Sequence, residues 1–356
     1  MRLAFHAKIV QRIPVASNQV AEKFVRAAAL KNFREVTAAF GYDVDAAMRR
    51  AGLSQKALKN PDLRLPANKV AWLLEDAARA TGCDSIGLRM VQSRKLSNLG
   101  STSLLLTYQA TLRDVLTTII DRLHLLNDAL VLHIENAGSL VIIREEVMAR
   151  SSGRQDIEMA VGVLYRICEG LLGSRWRPKS VHFSHDSPSD PTVHRAMFSC
   201  TVVFNADFNG IVCLASDLDA SNPSADPLLV HYAEEMLEPA AEPNDAQVSD
   251  EVRRMIYVML PSGRVTCELV ARNLGRSLRT LQRELDETGT SFTVLLAEAK
   301  RNLVRRYIVN PHYSLEHIAD LLGYSTHSAF ARWFKTEFGQ SPISLRRQSA
   351  KRHKDA

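Results

Sequence analysis

The sequence predicts two domains: an α+β N-terminal domain, then an all-α C-terminal domain in which a long helix joins two helix-turn-helix motifs. Three observations predict this. The pattern Ala271-x3-Gly275-x-Ser277-x3-Leu281-x-Arg283-x-Leu285-x3-Gly289 recurs as Ala319-x3-Gly323-x-Ser325-x4-Phe330-x-Arg332-x-Phe334-x4-Gly339. Upstream of residue 238, helical periodicities are interspersed with short β-branched runs of alternating polarity. Between the two regions, Glu238 to Gln247 is polar, contains proline and has no apolar period, which marks a linker. The expected boundaries are a lead-in at 1–30, the α+β domain at 31–237, the linker at 238–249, the helical domain at 250–349 and a basic tail at 350–356.

In the N-terminal part, a helix is expected from Gln19 to Phe33. Pro66 opens an amphipathic helix with Val70, Leu73, Leu74 and Ala77 on one stripe, and Gly82 lies just past its end. Thr111 can cap a second, with Asp114 at the acidic capping position and Leu112, Val115, Leu116, Ile119, Leu123 and Leu126 as its stripe. Val131–Glu135 alternates, Asn136–Gly138 can turn and Leu140–Ile143 returns, which reads as a hairpin. A helix from about Asp156 to Leu172 precedes strands at Ser180–His185, Thr201–Phe204 and Ile211–Leu214, the last two joined by a turn holding Asn209-Gly210. Leu228, Leu229, Tyr232, Met236 and Leu237 fit a short helix that closes this domain, with joining a partner subunit as the alternative.

Beyond the linker, helices are expected at Val252–Leu260, Cys267–Leu274, Ser277–Thr288, Ser291–Val309, Leu315–Leu322 and Thr326–Phe338. In each motif a small residue (Ala271, Ala319) lets two helices approach, a glycine (Gly275, Gly323) makes the turn, and a serine (Ser277, Ser325) caps the second helix. That second helix is the one that enters a DNA major groove. Arg279, Gln282 and Arg283 lie opposite Leu278, Leu281 and Leu285; His327, Ser328 and Arg332 lie opposite Ala329, Phe330 and Phe334. These are the base-reading candidates, since arginine can pair with guanine and glutamine with adenine. Alternatively, Arg283 and Arg332 pair with acids or phosphates and read no base. Lys335, Arg346 and Arg347 are assigned to phosphates, with Ser341-Pro342 starting a final short helix; a merely solvated basic face is the other reading. The long helix carries Phe292, Leu296, Ala299, Leu303 and Tyr307 on one stripe, with Lys300, Arg301, Arg305 and Arg306 largely off it. At ~1.5 Å per residue it spans about 28 Å, close to the ~34 Å repeat of B-DNA, so one chain can address two successive grooves.

Charge supports this division. Residues 251–356 hold 18 Lys and Arg against 10 Asp and Glu, leaving 27 against 29 upstream, so the positive charge of the chain sits at its C-terminal end. Cys83, Cys168, Cys200, Cys213 and Cys267 are odd in number and widely spaced, which argues for reduced, buried thiols rather than a disulfide framework. No uncharged apolar run is long enough to span a membrane, and Arg2, Lys8 and Arg12 interrupt any signal-peptide core. His182, His185 and His194 lack a carboxylate or cysteine that would complete a metal set, and Trp72 and Trp176 read as core rather than as pocket walls. No motif for catalysis, nucleotide or metal is present, so no catalytic residue, metal or cofactor is expected.

The second motif, through Ile318-Ala319, Gly323-Tyr324-Ser325, Ser328, Phe330-x-Arg332, Phe334-Lys335, Gly339, Pro342 and Arg346, resembles the DNA-binding domain of AraC/XylS-type bacterial regulators over about residues 250–348. Tyr324 stands where that family has Phe, Leu345 where it has Tyr, and Lys300 and Val304 where it has Arg and Ala. Residues 40–225 are similar to the arabinose-binding type of N-terminal domain, through Leu65-Pro66, Thr81-Gly82-x4-Gly87-Leu88-Arg89 and Val203-Phe204-Asn205-Ala206-x3-Gly210-Ile211. The resemblance implies a cytoplasmic, nucleoid-associated transcription regulator, most often an activator. It would bind double-stranded promoter DNA and contact RNA polymerase. The N-terminal domain would sense a small-molecule effector or form a homodimer; no membrane partner is implied. One alternative is a ligand-independent binder whose first domain only dimerises. A remoter one is a DNA-modifying enzyme, which needs a reactive or zinc-bound cysteine cluster.

Overall fold

A computed structural model of the protein describes residues 22–148, 153–173, 176–237, 248–260, 263, 265–308, 310 and 313–347. They fall into two compact units that divide near residue 243.

The N-terminal unit begins with β1 (Phe24–Arg26), which pairs antiparallel with β2 (Arg64–Pro66) so that Val25 faces Leu65. Residues expected to be a helical lead-in are therefore part of the domain. A strand and a 3-10 turn (Ala27–Leu30) replace the helix because Val25, Ala27, Ala28, Ala29 and Leu30 are all buried, which leaves no polar face for a surface helix. The part of that expectation before residue 22 lies outside the described residues. Helices α1 (Phe33–Ala38), α2 (Val44–Arg50), α3 (Ala67–Thr81), α4 (Ile86–Val91), α5 (Thr102–Tyr108) and α6 (Leu112–Leu126) follow. Val70, Leu73, Leu74 and Ala77 are buried along α3, as their spacing predicts. At the start of α6, Thr111 accepts from the Asp114 amide at 3.2 Å and Asp114 accepts from the Thr111 amide at 3.1 Å, a reciprocal cap.

The sheet is built from β3 (Leu130–Ala137), β4 (Leu140–Val147), β5 (Ser180–His182), β6 (Thr201–Val203) and β7 (Asn209–Leu214), in the order β3-β4-β7-β5-β6. Helix α7 (Arg154–Leu172) packs on it, and α8 (Thr192–Phe198), α9 (Ala215–Leu218) and α10 (Pro227–Leu237) complete the unit. The hairpin β3–β4 forms, longer than expected, with Leu130 facing Val147. The expected β6–β7 hairpin does not form: β5 lies between the two, parallel to β6 and antiparallel to β7. Asn209-Gly210 is not a turn but the start of β7. A Cβ on Gly210 would lie 2.1 Å from the Ile143 carbonyl oxygen, so glycine is there for close strand approach. Helix α10 packs on α5 of this unit but leaves much of its apolar surface uncovered. It rests through Ala233, while Leu228, Tyr232 and Met236 are 58%, 51% and 74% exposed.

The C-terminal unit is helical: α11 (Val248–Met259), α12 (Cys267–Asn273), α13 (Leu278–Glu287), α14 (Phe292–Tyr307), α15 (Leu315–Leu321) and α16 (His327–Phe338), with residues 342–347 also helical. Val248 and Ser249, read as linker, open α11 and are not a free connection. Helix α14 is shorter than expected, 16 residues, and Ile308 is its C-cap. Its buried stripe is also rotated: Leu295, Ala299, Leu303, Val304 and Tyr307 are buried, whereas Phe292 and Leu296 are only half-buried. Packing on α11 and side-chain contacts with the second motif set which row is buried.

Candidate nucleic-acid interface

Both motifs fold as small-residue contact, glycine turn and capped second helix. Ala271 and Ala319 are buried at the helix contacts. Gly275 and Gly323 both take left-handed φ, +66° and +69°, which a residue with a Cβ resists. In the first motif Ser277 accepts from the Thr280 amide at 3.1 Å and caps α13 as expected. In the second, Thr326 rather than Ser325 is the cap, accepting from the Ala329 amide at 3.1 Å. The physical reason is the extra residue in the second copy. Counting from the cap, Leu281 and Phe330 are both the fourth residue, both fully buried, and Leu285 and Phe334 repeat them one turn later.

Aligned on their caps, the two recognition helices present equivalent positions. Arg279 corresponds to Ser328 and Arg283 to Arg332, all four exposed, while exposed Gln282 corresponds to half-buried Ala331. His327 corresponds to Leu278 and is half-buried, its ring 6.4 Å from Phe330. Among the described residues, Arg279, Gln282, Ser328 and Arg332 have no ion pair and no side-chain hydrogen bond. Arg283 is 3.6 Å from Glu287 one turn on, both side chains about 70% in solvent at 70% and 67%. Thr280 is half-buried, its hydroxyl bonded to that of Ser277 at 2.7 Å.

The basic residues divide. Lys335 and Arg347 are exposed. Arg346 is half-buried; its Nε donates at 3.3 Å to the carbonyl of Ile308, the C-cap of α14, and burial lowers its pKa. A cation at that end of a helix meets the unsatisfied carbonyls and the negative pole of the dipole. Ser341 caps residues 342–347 by accepting from the Ser344 amide at 3.2 Å, and Pro342 is buried at the first helical position. Gly339 takes φ +70° to end α16.

Three cations of the long helix are engaged within the unit. Lys300 lies 3.9 Å from the centroid of the Tyr324 ring, Arg305 lies 5.6 Å from that of Phe338, and Arg301 is 3.2 Å from Glu337 on α16. Burial lowers the Lys300 pKa and raises that of Tyr324. Two of the departures from the family pattern, Lys300 and Tyr324, thus meet face to face. Sequence spacing alone did not reveal this pairing, nor that Arg276 bridges Glu251 on α11 (2.6 Å) and Glu284 on α13 (2.9 Å).

With this geometry in place, comparison with known proteins is decisive. The model of the arabinose-binding N-terminal domain of AraC transcription regulators matches residues 41–222, and a helix-turn-helix domain model matches residues 270–348. The chain belongs to the AraC family of transcription regulators. A regulator of this family binds DNA through the helix-turn-helix domain just described. The chain is similar to the HTH-type transcriptional regulator VirS of Mycobacterium tuberculosis, at 27% identity over 326 residues, covering 90% of this chain and 96% of that one. It is also similar to the ornithine utilization regulator of Pseudomonas aeruginosa (26% over 191 residues, 53% of this chain and 56% of that one). The transcriptional activator NphR of a Rhodococcus species matches at 29% over 112 residues, 32% of this chain and 33% of that one.

The N-terminal unit of this AraC-family regulator carries one polar cluster the sequence did not disclose. His194 Nε2 lies 2.7 Å and His185 Nε2 3.4 Å from the same oxygen of buried Glu158, whereas His182 bonds Ser180 at 2.8 Å and stacks on Phe208. Burial raises the Glu158 pKa, with the His194 bond opposing it. Among the described residues no group of three or more His, Cys, Asp or Glu could hold a metal ion. Cys83, Cys168 and Cys213 are buried, Cys200 and Cys267 half-buried, all unbridged. Burial pushes the Cys200 thiol up to about 11 and that of Cys213 to about 12. Trp176 is buried on Tyr165, its Nε1 donating to Asp217 at 3.1 Å, and Trp72 packs at the edge of the core. Among the described residues no helix is long and apolar enough to cross a membrane.

Proposed function

We propose that this regulator reads a bipartite promoter element with the two recognition helices in successive major grooves, and that it activates transcription by contacting RNA polymerase. The observation that carries this is the cap-aligned equivalence of α13 and α16: each turns an apolar row inward and leaves unpartnered polar side chains outward. Arg279, Gln282 and Arg283 read bases in one half-site; Ser328 and Arg332, with His327 at the edge, read the other. Lys335 and Arg347 contact phosphates, whereas Arg346 acts from inside by holding the end of α14. At ~1.5 Å per residue, α14 is a rod of about 24 Å, long enough to offset the two readers by most of a helical turn.

The N-terminal domain modulates this activity by taking a small-molecule effector, and α10, with exposed Leu228, Tyr232 and Met236, supports a homodimer. The regulator acts where its DNA is, in the cytoplasm on the nucleoid. The DNA-modifying alternative is disfavoured: it needs a reactive thiolate, and burial raises the pKa of both half-buried cysteines. Selection of genomic fragments by the full-length protein at physiological salt, with excess competitor DNA, tests the reading. Enrichment of two elements about one helical turn apart is expected. Salt-sensitive binding with no enriched sequence would overturn it.

A further inference from the structure

The N-terminal unit holds a half-open cavity of about 140 Å³ among α3, α6, α7 and the sheet. A cavity of about 150 Å³ walled by aliphatic side chains holds benzene, so this one suits a monocyclic or short-alkyl body. Its wall is aliphatic: Val70 from α3, Ile119 and Leu123 from α6, Leu132 from β3, and Met159 and Val163 from α7.

Four ionisable side chains interrupt that wall, Arg26, Arg94, Glu145 and Asp156, and Arg26 is paired with Asp62. Arg94 gives Nη2 to the Ala29 carbonyl, but its Nε is out of solvent with no acceptor. Asp156 also lines the cavity, but its Oδ1 is engaged by the amides of Gly153 (2.8 Å) and Ile157 (3.0 Å). Glu145, on β4 and 4% exposed, has an Oε2 with no donor. Burial alone lowers Arg94 to about 10 and raises Glu145 to about 8, which at neutral pH favours a charged guanidinium on Arg94 and an uncharged carboxyl on Glu145. A buried cation without a counter-ion is costly, and a ligand that brings the anion removes that cost.

We propose that this cavity is a ligand site for small monocarboxylates with a monocyclic or short-alkyl body, the carboxylate held by Arg94 and the body by the aliphatic wall. Glu145 supplies an uncharged hydrogen-bonding group. A pentose does not suit the site: its hydroxyls would leave water for a wall that offers few partners. The inference rests on the reading that the N-terminal domain takes an effector, and it names the ligand class.

The test uses the full-length chain with benzoate, phenylacetate and hexanoate as probes, and benzyl alcohol and L-arabinose as controls, read by thermal shift and calorimetry. At least one carboxylate is expected to bind saturably and raise the melting temperature, with benzyl alcohol weaker by about tenfold or more and arabinose silent. Arg94→Gln is expected to remove that advantage. Ala160→Leu, which fills the cavity and leaves Arg94 in place, is expected to abolish binding. Failure of all three carboxylates, equal binding of benzyl alcohol, or unchanged affinity in both variants would overturn the site. Promoter-DNA affinity separates the two claims. Carboxylate binding without a change in DNA affinity supports the site and overturns its effector role. A response to arabinose but to no carboxylate retains the effector role and overturns the ligand class.

Discussion

The two helix-turn-helix motifs share a backbone plan yet are held together by different chemistry. The first packs on aliphatic Leu281 and Leu285 and is tied by Arg276 to two carboxylates. The second packs on aromatics, with Phe330, Phe334, Phe338, Trp333 and Tyr324 in mutual contact. Their outward faces differ too: Arg283 has Glu287 beside it, whereas Arg332 forms no ion pair among the described residues. The cap-to-knob interval thus fixes the plan, while the residues that fill it set how rigid each reader is and how much of its charge is left for DNA.

Substitutions can break this comparison. The largest expected effect is on the aromatic core: Phe330→Ala should cost about 3–5 kcal/mol by chemical denaturation and remove the second element from the selected DNA, leaving the first. Next, Arg332→Ala should lose about 1–3 kcal/mol of discrimination between target and mismatched DNA, with nonspecific affinity nearly unchanged. Equal losses on both DNAs would make Arg332 a phosphate contact. Arg347→Ala should weaken both DNAs alike and lower the salt slope by about one.

Smaller effects sharpen the register. Thr326→Ala and, in the first motif, Ser277→Ala should each cost about 1 kcal/mol, whereas Ser325→Ala should be nearly silent. If Ser325→Ala were the costly one, the cap alignment would be wrong. Glu287→Gln, which removes the exposed partner of Arg283, should change stability by no more than about 0.5 kcal/mol and raise DNA affinity at low salt only.

Much of the C-terminal domain was legible because its signals are local. Glycine turns, caps and apolar rows lie within one motif, and the repeat exposed them twice. Even the misplaced cap was readable: the extra residue between Ser325 and Phe330 is in the pattern, and holding the cap-to-knob interval constant would have selected Thr326. The Arg346–Ile308 bond joins residues 38 apart, and the Lys300–Tyr324 contact joins α14 to the turn of the second motif, so neither follows from spacing. The N-terminal domain was harder for the same reason. Asn209-Gly210 has the composition of a turn, but its role is set by the carbonyl of Ile143 on a distant strand. The cavity around Arg94 and Glu145 draws its wall from several helices and three strands, each of which reads alone as ordinary core.

The most direct test of the two-reader account repeats the genomic selection with Arg279→Ala and Arg332→Ala proteins beside the unaltered one. The account predicts that each variant loses sequence preference in a different element, about one helical turn apart, and keeps the other. Loss of both elements together, or of neither, would contradict the claim that each recognition helix reads its own groove.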